Sequence, residues 1–173
     1  MALTPEQAER VRYLAEDEWG GESEDEAAQW ADFDRVLAQM SAEELHAFVN
    51  VMNWDGGGAD RLSRVLAHPL CDRGTALMIY WLARPRFYIK YGTRERVRDE
   101  LWPSALDDYD LLCDIERRFA ANDFATADIP FNPADDNGRD HTSDGPRRRP
   151  LVDPRAVLPA VMFETVRGRD GGT

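Results

Sequence analysis

His68-Pro69-Leu70-Cys71-Asp72-Arg73-Gly74-Thr75-Ala76-Leu77-Met78-Ile79-Tyr80-Trp81-Leu82-Ala83 is the stretch whose reading decides the fold. It holds the longest apolar run of the chain, Ala76 to Ala83. Eight residues are far too few to cross a bilayer, which needs about 20. A short run that is apolar all round reads as a buried segment. Helix is favoured over strand, because Asp72 stands at an N-cap position and the run is rich in Ala, Leu and Met. Pro69 disfavours the α conformation at His68, so the helix starts after it. Gly74 in the first turn weakens the helix but lets another backbone come close. The expectation is a central helix over residues 73–83 with other helices around it.

Working outward, the chain has 173 residues, 43% of them apolar, with five Trp, five Tyr and seven Phe. That is enough for one domain with a substantial core. The net charge is −12 and is unevenly placed. Residues 1–50 hold 13 acidic and 3 basic side chains, a net of −10, and the remaining 123 residues carry only −2. Nucleic acid is disfavoured as a partner, since phosphate backbones require clustered Lys and Arg. A basic protein is the natural complement. Two cysteines, Cys71 and Cys113, imply no disulfide framework. The start, Met1 to Gln7, has neither a basic region nor a long apolar one, so neither secretion nor a membrane is expected and the cytoplasm is.

In chain order, Thr4-Pro5-Glu6-Gln7 opens a first helix, with Ala8, Val11, Ala15 and Trp19 near the helical period and Gly20-Gly21 stopping it. Ser23 is expected to cap a second helix bearing Trp30, Phe33, Leu37 and Met40. Ser41-Ala42-Glu43-Glu44 reads as the capping box of a third, which ends at Asn53-Trp54-Asp55-Gly56. The three glycines 56–58 are followed by no Lys-Ser or Lys-Thr, so they read as a helix stop and not as a phosphate loop. A short helix over 60–67 follows. Arg84 to Tyr91 reads as a connector whose aromatics pack down. Thr93 caps a helix to Leu101, and Ser104 caps a long one to about Ala121, in whose wide apolar arc Cys113 is expected as a small core residue. Asp128 to Pro150 reads as loop, with Arg147-Arg148-Arg149 its one compact basic run. Pro154 and Pro159 limit the last apolar stretch to extended or one-turn structure.

Asn53-Trp54-Asp55-Gly56, His68-Pro69, Cys71-Asp72, Gly74-Thr75-Ala76-Leu77 and Ile79-Tyr80-Trp81-Leu82, in that order and spacing, resemble a bacterial domain family of unknown function. Tyr109-Asp110-Leu111-Leu112 and the segment from Leu158-Pro159 to Gly168 are similar to its downstream part. The resemblance spans roughly residues 40–168 and leaves the acidic N-terminal helices as an addition. It implies no catalytic residue. It does imply an association, since small acidic domains of such families accompany bacterial toxins as immunity proteins.

The sharpest chemical pair is His68 with Cys71. With Asp72 or His141 they would offer metal ligands, but a zinc site wants a second close pair, which is missing. A Cys-His dyad using Asp72 is the enzyme alternative, and Asp55 with Asp72 is a possible carboxylate pair. Against these, His68 is expected to bond a backbone carbonyl, Cys71 to fill a small core space and Asp72 to cap the central helix. The sequence therefore points to an all-α protein organised as residues 1–40, 41–122 and 123–173. It is expected to be non-enzymatic, without metal or cofactor, and a monomer or weak dimer. The expected partner is a basic protein toxin domain, bound through Glu16, Asp17, Glu18, Glu22, Glu24, Asp25, Glu26, Asp32 and Asp34. An adaptor module is a further alternative.

Overall fold

The computed structural model describes residues 2–16, 25–54, 58–143 and 153–169. The fold is all-α. Among the described residues no extended strand forms, and the β pairing consists of isolated bridges, Phe131–Val166 and Asp136–Arg139. The chain divides into two compact units, Met1–Cys71 and Asp72–Thr173.

Among its described residues the N-terminal unit has four helices: α1 (Pro5–Glu16), α2 (Glu26–Leu37), α3 (Ala42–Val51) and α4 (Ala59–Ala67). Thr4 and Gln7 cap α1 reciprocally, the Thr4 N–H donating to Gln7 Oε1 at 2.9 Å and the Gln7 N–H to Thr4 Oγ1 at 3.3 Å. The Ser41–Glu44 capping box of α3 is likewise present. The expected cap of α2 is corrected: Asp25 holds the N-cap and accepts from the Ala28 N–H, while Ser23 lies outside the described residues, as do Trp19, Gly20 and Gly21. Asp25 stands two residues nearer the apolar stripe in sequence, and its carboxylate also meets the positive end of the helix dipole.

Leu14, Phe33, Leu45, Phe48, Val49, Leu62 and Val65 are buried in this unit. Phe33 of α2 meets Phe48 of α3 edge-to-face, with centroids 6.0 Å apart. The Asn53-Trp54 stop is explained by two bonds. The Trp54 indole donates to the Val49 carbonyl at 3.3 Å, and buried Arg61 donates to the Asn53 carbonyl at 3.0 Å. Gly56 and Gly57 lie outside the described residues, and Gly58 precedes α4.

Glu44 joins α3 to α1. Besides capping Ser41 it accepts from Arg10 Nε at 2.8 Å, yet it is only 1% exposed. Burial by itself raises this carboxyl, but the hydrogen bonds from Arg10 and Ser41 outweigh it and hold Glu44 below the usual glutamate range. Its folded pKa thus lies under the unfolded one. Its contribution is complete above about pH 4.5 and is lost as the pH falls through the folded value. Glu44→Gln is therefore expected to cost about 2 kcal/mol at neutral pH, or roughly 6 °C in Tm. That gap should close as wild type is acidified below pH 4. Thermal melts of both proteins from pH 7 to pH 3 check this, and a gap that does not change with pH refutes it.

The C-terminal unit holds α5 (Arg73–Leu82), α6 (Pro85–Tyr88), α7 (Arg94–Glu100), α8 (Ser104–Ala121) and two 3-10 turns, Pro154–Ala156 and Ala160–Phe163. Every residue of α5 from Gly74 to Trp81 is buried, as an all-round apolar run requires. α5 packs on α8, and the second 3-10 turn packs on α8 as well. The Trp81 indole donates to the Met162 carbonyl at 2.7 Å, which fixes the late apolar stretch to α5.

Three expectations in this unit are corrected. Arg84–Tyr91 is not a plain connector: Arg84 takes a left-handed φ of 57° and Pro85 then opens a helical turn. Ser104 is the first residue of α8, with Pro103 at the cap position and no side-chain cap. Cys113 is exposed, because Leu112, Ile115 and Phe119 form the buried stripe of α8 and Cys113 lies beside it. Arg147, Arg148 and Arg149 lie outside the described residues.

Candidate partner-binding surface

Of the nine acidic side chains expected to form the contact surface, Asp17, Glu18, Glu22 and Glu24 lie outside the described residues. The other five are placed by α1 and α2. Glu16, Asp25, Glu26 and Asp34 are exposed and Asp32 is half-buried. They are not equally available.

Asp25 caps α2. Asp32 accepts from the Tyr13 hydroxyl at 2.6 Å and is paired with Arg35. The Tyr13 bond first, then the Arg35 bond, holds its carboxyl below the usual aspartate range. Asp34 is ion-paired with Arg64, whose guanidinium also lies 4.3 Å from the Trp30 ring centroid. Among the described residues Glu16 makes a long pair with Arg12, at 3.8 Å, and Glu26 accepts from the Trp30 indole at 3.3 Å.

Asp32 and Asp34 thus tie structure together, whereas Glu16 and Glu26 project charge into water. Tyr13, 41% exposed, stands beside them as an amphipathic contact residue. The sequence reading did not separate these classes, because it does not show which carboxylates meet an arginine from another helix. It also passed over Glu44 as a buried ion-pair partner, although its place in a capping box gave the signal.

His68, Cys71 and Asp72 each have a structural role. The His68 N–H ends α4 on the Val65 carbonyl. Its Nδ1 accepts from the Leu70 N–H at 3.1 Å, so the expected bond to a backbone carbonyl is corrected to one from a backbone amide. The turn at Pro69 presents that amide to the ring. Burial lowers the His68 pKa, keeping the ring an acceptor at neutral pH. Cys71 is 1% exposed, as expected of a core-filling thiol, and its N–H donates to the His68 carbonyl at 2.9 Å.

Asp72 is fully buried and does more than cap. Oδ1 accepts from the Gly74 N–H at 2.7 Å and the Ile129 N–H at 3.3 Å, and Oδ2 from the Thr126 hydroxyl at 2.6 Å and the Asp128 N–H at 2.7 Å. Both oxygens are spent holding segment 126–129 across the first turn of α5.

His141 is buried, with Nε2 2.9 Å from Asp136 Oδ2, and Asp55 lies outside the described residues. Among the described residues no group of three or more His, Cys, Asp or Glu side chains is placed to hold a metal ion. No described helix is long and apolar enough to cross a membrane.

Residues 40–120 match a family described as a domain of unknown function, DUF4274. The matched span takes in α3 through most of α8, together with the Asn53-Trp54, His68-Pro69 and Cys71-Asp72 motifs, and leaves α1 and α2 outside. It stops short of the similarity expected out to residue 168. No curated protein and no solved structure matches the chain.

Proposed function

We propose that this protein is an immunity, antitoxin-like protein that neutralises a basic bacterial toxin by binding it through the acidic surface of α1 and α2. The observation that carries the reading is the concentration of charge: a net of −10 in the first 50 residues, against −2 in the other 123. Such a field steers a basic partner and raises the association rate in a salt-dependent way. Carboxylates there mimic the phosphates of a nucleic-acid substrate or cover a basic cleft. The surface lies on helices outside the span that matches the family, which fits a partner-specific addition to a shared scaffold.

The experiment is co-purification of the full chain from its native bacterium, followed by association kinetics with the captured protein at two salt concentrations. Charge reversal of Glu16, Asp17, Glu18 and Glu26 to Lys, sparing the structural Asp25, Asp32 and Asp34, is expected to slow association about 100-fold at low salt. The far-UV spectrum should not change. A captured partner whose on-rate ignores both salt and the four reversals sinks the reading.

A further inference from the structure

The C-terminal unit carries a half-open pocket of about 190 Å³, lined by Tyr109, Cys113 and Glu116 of α8 and by Tyr88, Val157 and Leu158. This is below the roughly 300–1,000 Å³ of drug-sized sites, so an occupant must be small. Among the described residues one carboxyl and no basic side chain lines it. Tyr88 and Tyr109 pack on each other as one aromatic wall, with centroids 5.8 Å apart and the rings inclined at 60°. The Tyr88 hydroxyl donates to Asp108 at 3.3 Å, which enriches that ring in electron density. Glu116 accepts from the Tyr80 hydroxyl at 2.7 Å, its one hydrogen bond among the described residues. A carboxylate has about four acceptor positions, so most of its capacity is unspent.

We propose that this pocket binds a small organic cation, an alkylammonium head with a short apolar tail, against the packed Tyr88–Tyr109 pair and beside the Glu116 carboxyl. Electron-rich ring faces and an underused carboxyl both attract positive charge. Val157, 53% exposed, and Leu158 give the tail an apolar place at the wall. Burial pushes the Glu116 carboxyl up, and a cation seated beside it would restore the charged form. Arg94, the base that acts on Cys113, is bonded to both oxygens of Asp110, and a purely apolar guest would leave the carboxyl unmatched. The site is distinct from the acidic α1–α2 surface and does not depend on the toxin-binding reading.

Cys113 reports on the site. It is exposed and lines the pocket, while the other cysteine, Cys71, is 1% exposed. Iodoacetamide should therefore label Cys113 first in the intact chain. Millimolar choline is expected to slow this labelling in a saturable way, and its uncharged tert-butyl isostere to act about tenfold more weakly. Glu116→Gln, which keeps an acceptor for Tyr80, should reduce choline to the level of the isostere. Calorimetric titration of choline gives an independent readout. Equal protection by the isostere, or absence of both protection and heat with choline, overturns the proposal. The charged-against-uncharged comparison in wild type decides the matter even if Glu116→Gln fails to fold.

Discussion

Gly74→Ala is expected to destabilise the protein by at least about 3 kcal/mol. Helix propensity taken alone argues the opposite, because Ala replaces Gly within a helix with a gain of about 1 kcal/mol. The sign is set by space. A Cβ built on Gly74 falls 2.0 Å from the Ile129 carbonyl oxygen and 3.1 Å from its carbon. The obstructing atom belongs to the backbone, so no side-chain rotation relieves it.

The segment carrying that carbonyl cannot retreat without breaking its bonds to Asp72. Gly92 is the control. It needs its hydrogen for conformation, at φ +72°, but has nothing within 4 Å of a built Cβ. Gly92→Ala should therefore cost only about 1 kcal/mol of backbone strain. Urea unfolding of the two variants beside wild type makes the comparison. A Gly74→Ala midpoint at or above wild type would show that segment 126–129 does not lie on α5.

Asp72→Asn should be nearly as damaging, at about 3 kcal/mol. The exchange conserves shape, and at an ordinary cap it is close to neutral, since Asn and Asp cap about equally well. Here the carboxylate receives four donors, three of them backbone N–H groups. An amide offers one oxygen. Whichever way it is turned, its NH₂ faces at least one backbone N–H that has lost its acceptor in a buried place.

Asp72→Ala leaves all four donors without a partner and is expected not to fold at 37 °C. The diagnostic comparison is Asp72→Asn against Asp25→Asn, since Asp25 is an exposed cap whose side chain accepts from the Ala28 amide of α2. A large loss at Asp72 with almost none at Asp25 confirms the four-donor arrangement. Equal small losses would reduce Asp72 to a cap.

These two residues show how far the chain could be read unaided. The motif Cys71-Asp72-Arg73-Gly74-Thr75 announces a helix start, and the glycine announces a close backbone. Both follow from local stereochemistry and were legible. That the approaching backbone is 126–129, some fifty residues on, was not, because loop residues carry no periodicity that encodes where they land.

The same division runs through the candidate sites. The acidic bias of the first 50 residues is a matter of counting, but Asp32 and Asp34 proved to be tied to Tyr13, Arg35 and Arg64, and only Glu16 and Glu26 project freely among the described members. Residues 109, 113 and 116 do share one helical face. A mixed face of Tyr, Cys and Glu reads equally as surface or as lining until Tyr88, Val157 and Leu158 are seen beside it.

The sequence by itself determined the helices other than α6, most of their caps, the burial of residues 74–81 and the place where charge is concentrated. Each depends on residues within about four positions of one another, or on composition, and so is written locally. The tertiary structure alone decided which oxygens of Asp72 are occupied, that Glu44 is buried against Arg10, that Cys113 is open and that a carboxyl shares a pocket with two tyrosines. Those facts depend on which distant elements meet, and it is their meeting that sets the desolvation and pairing of each polar group.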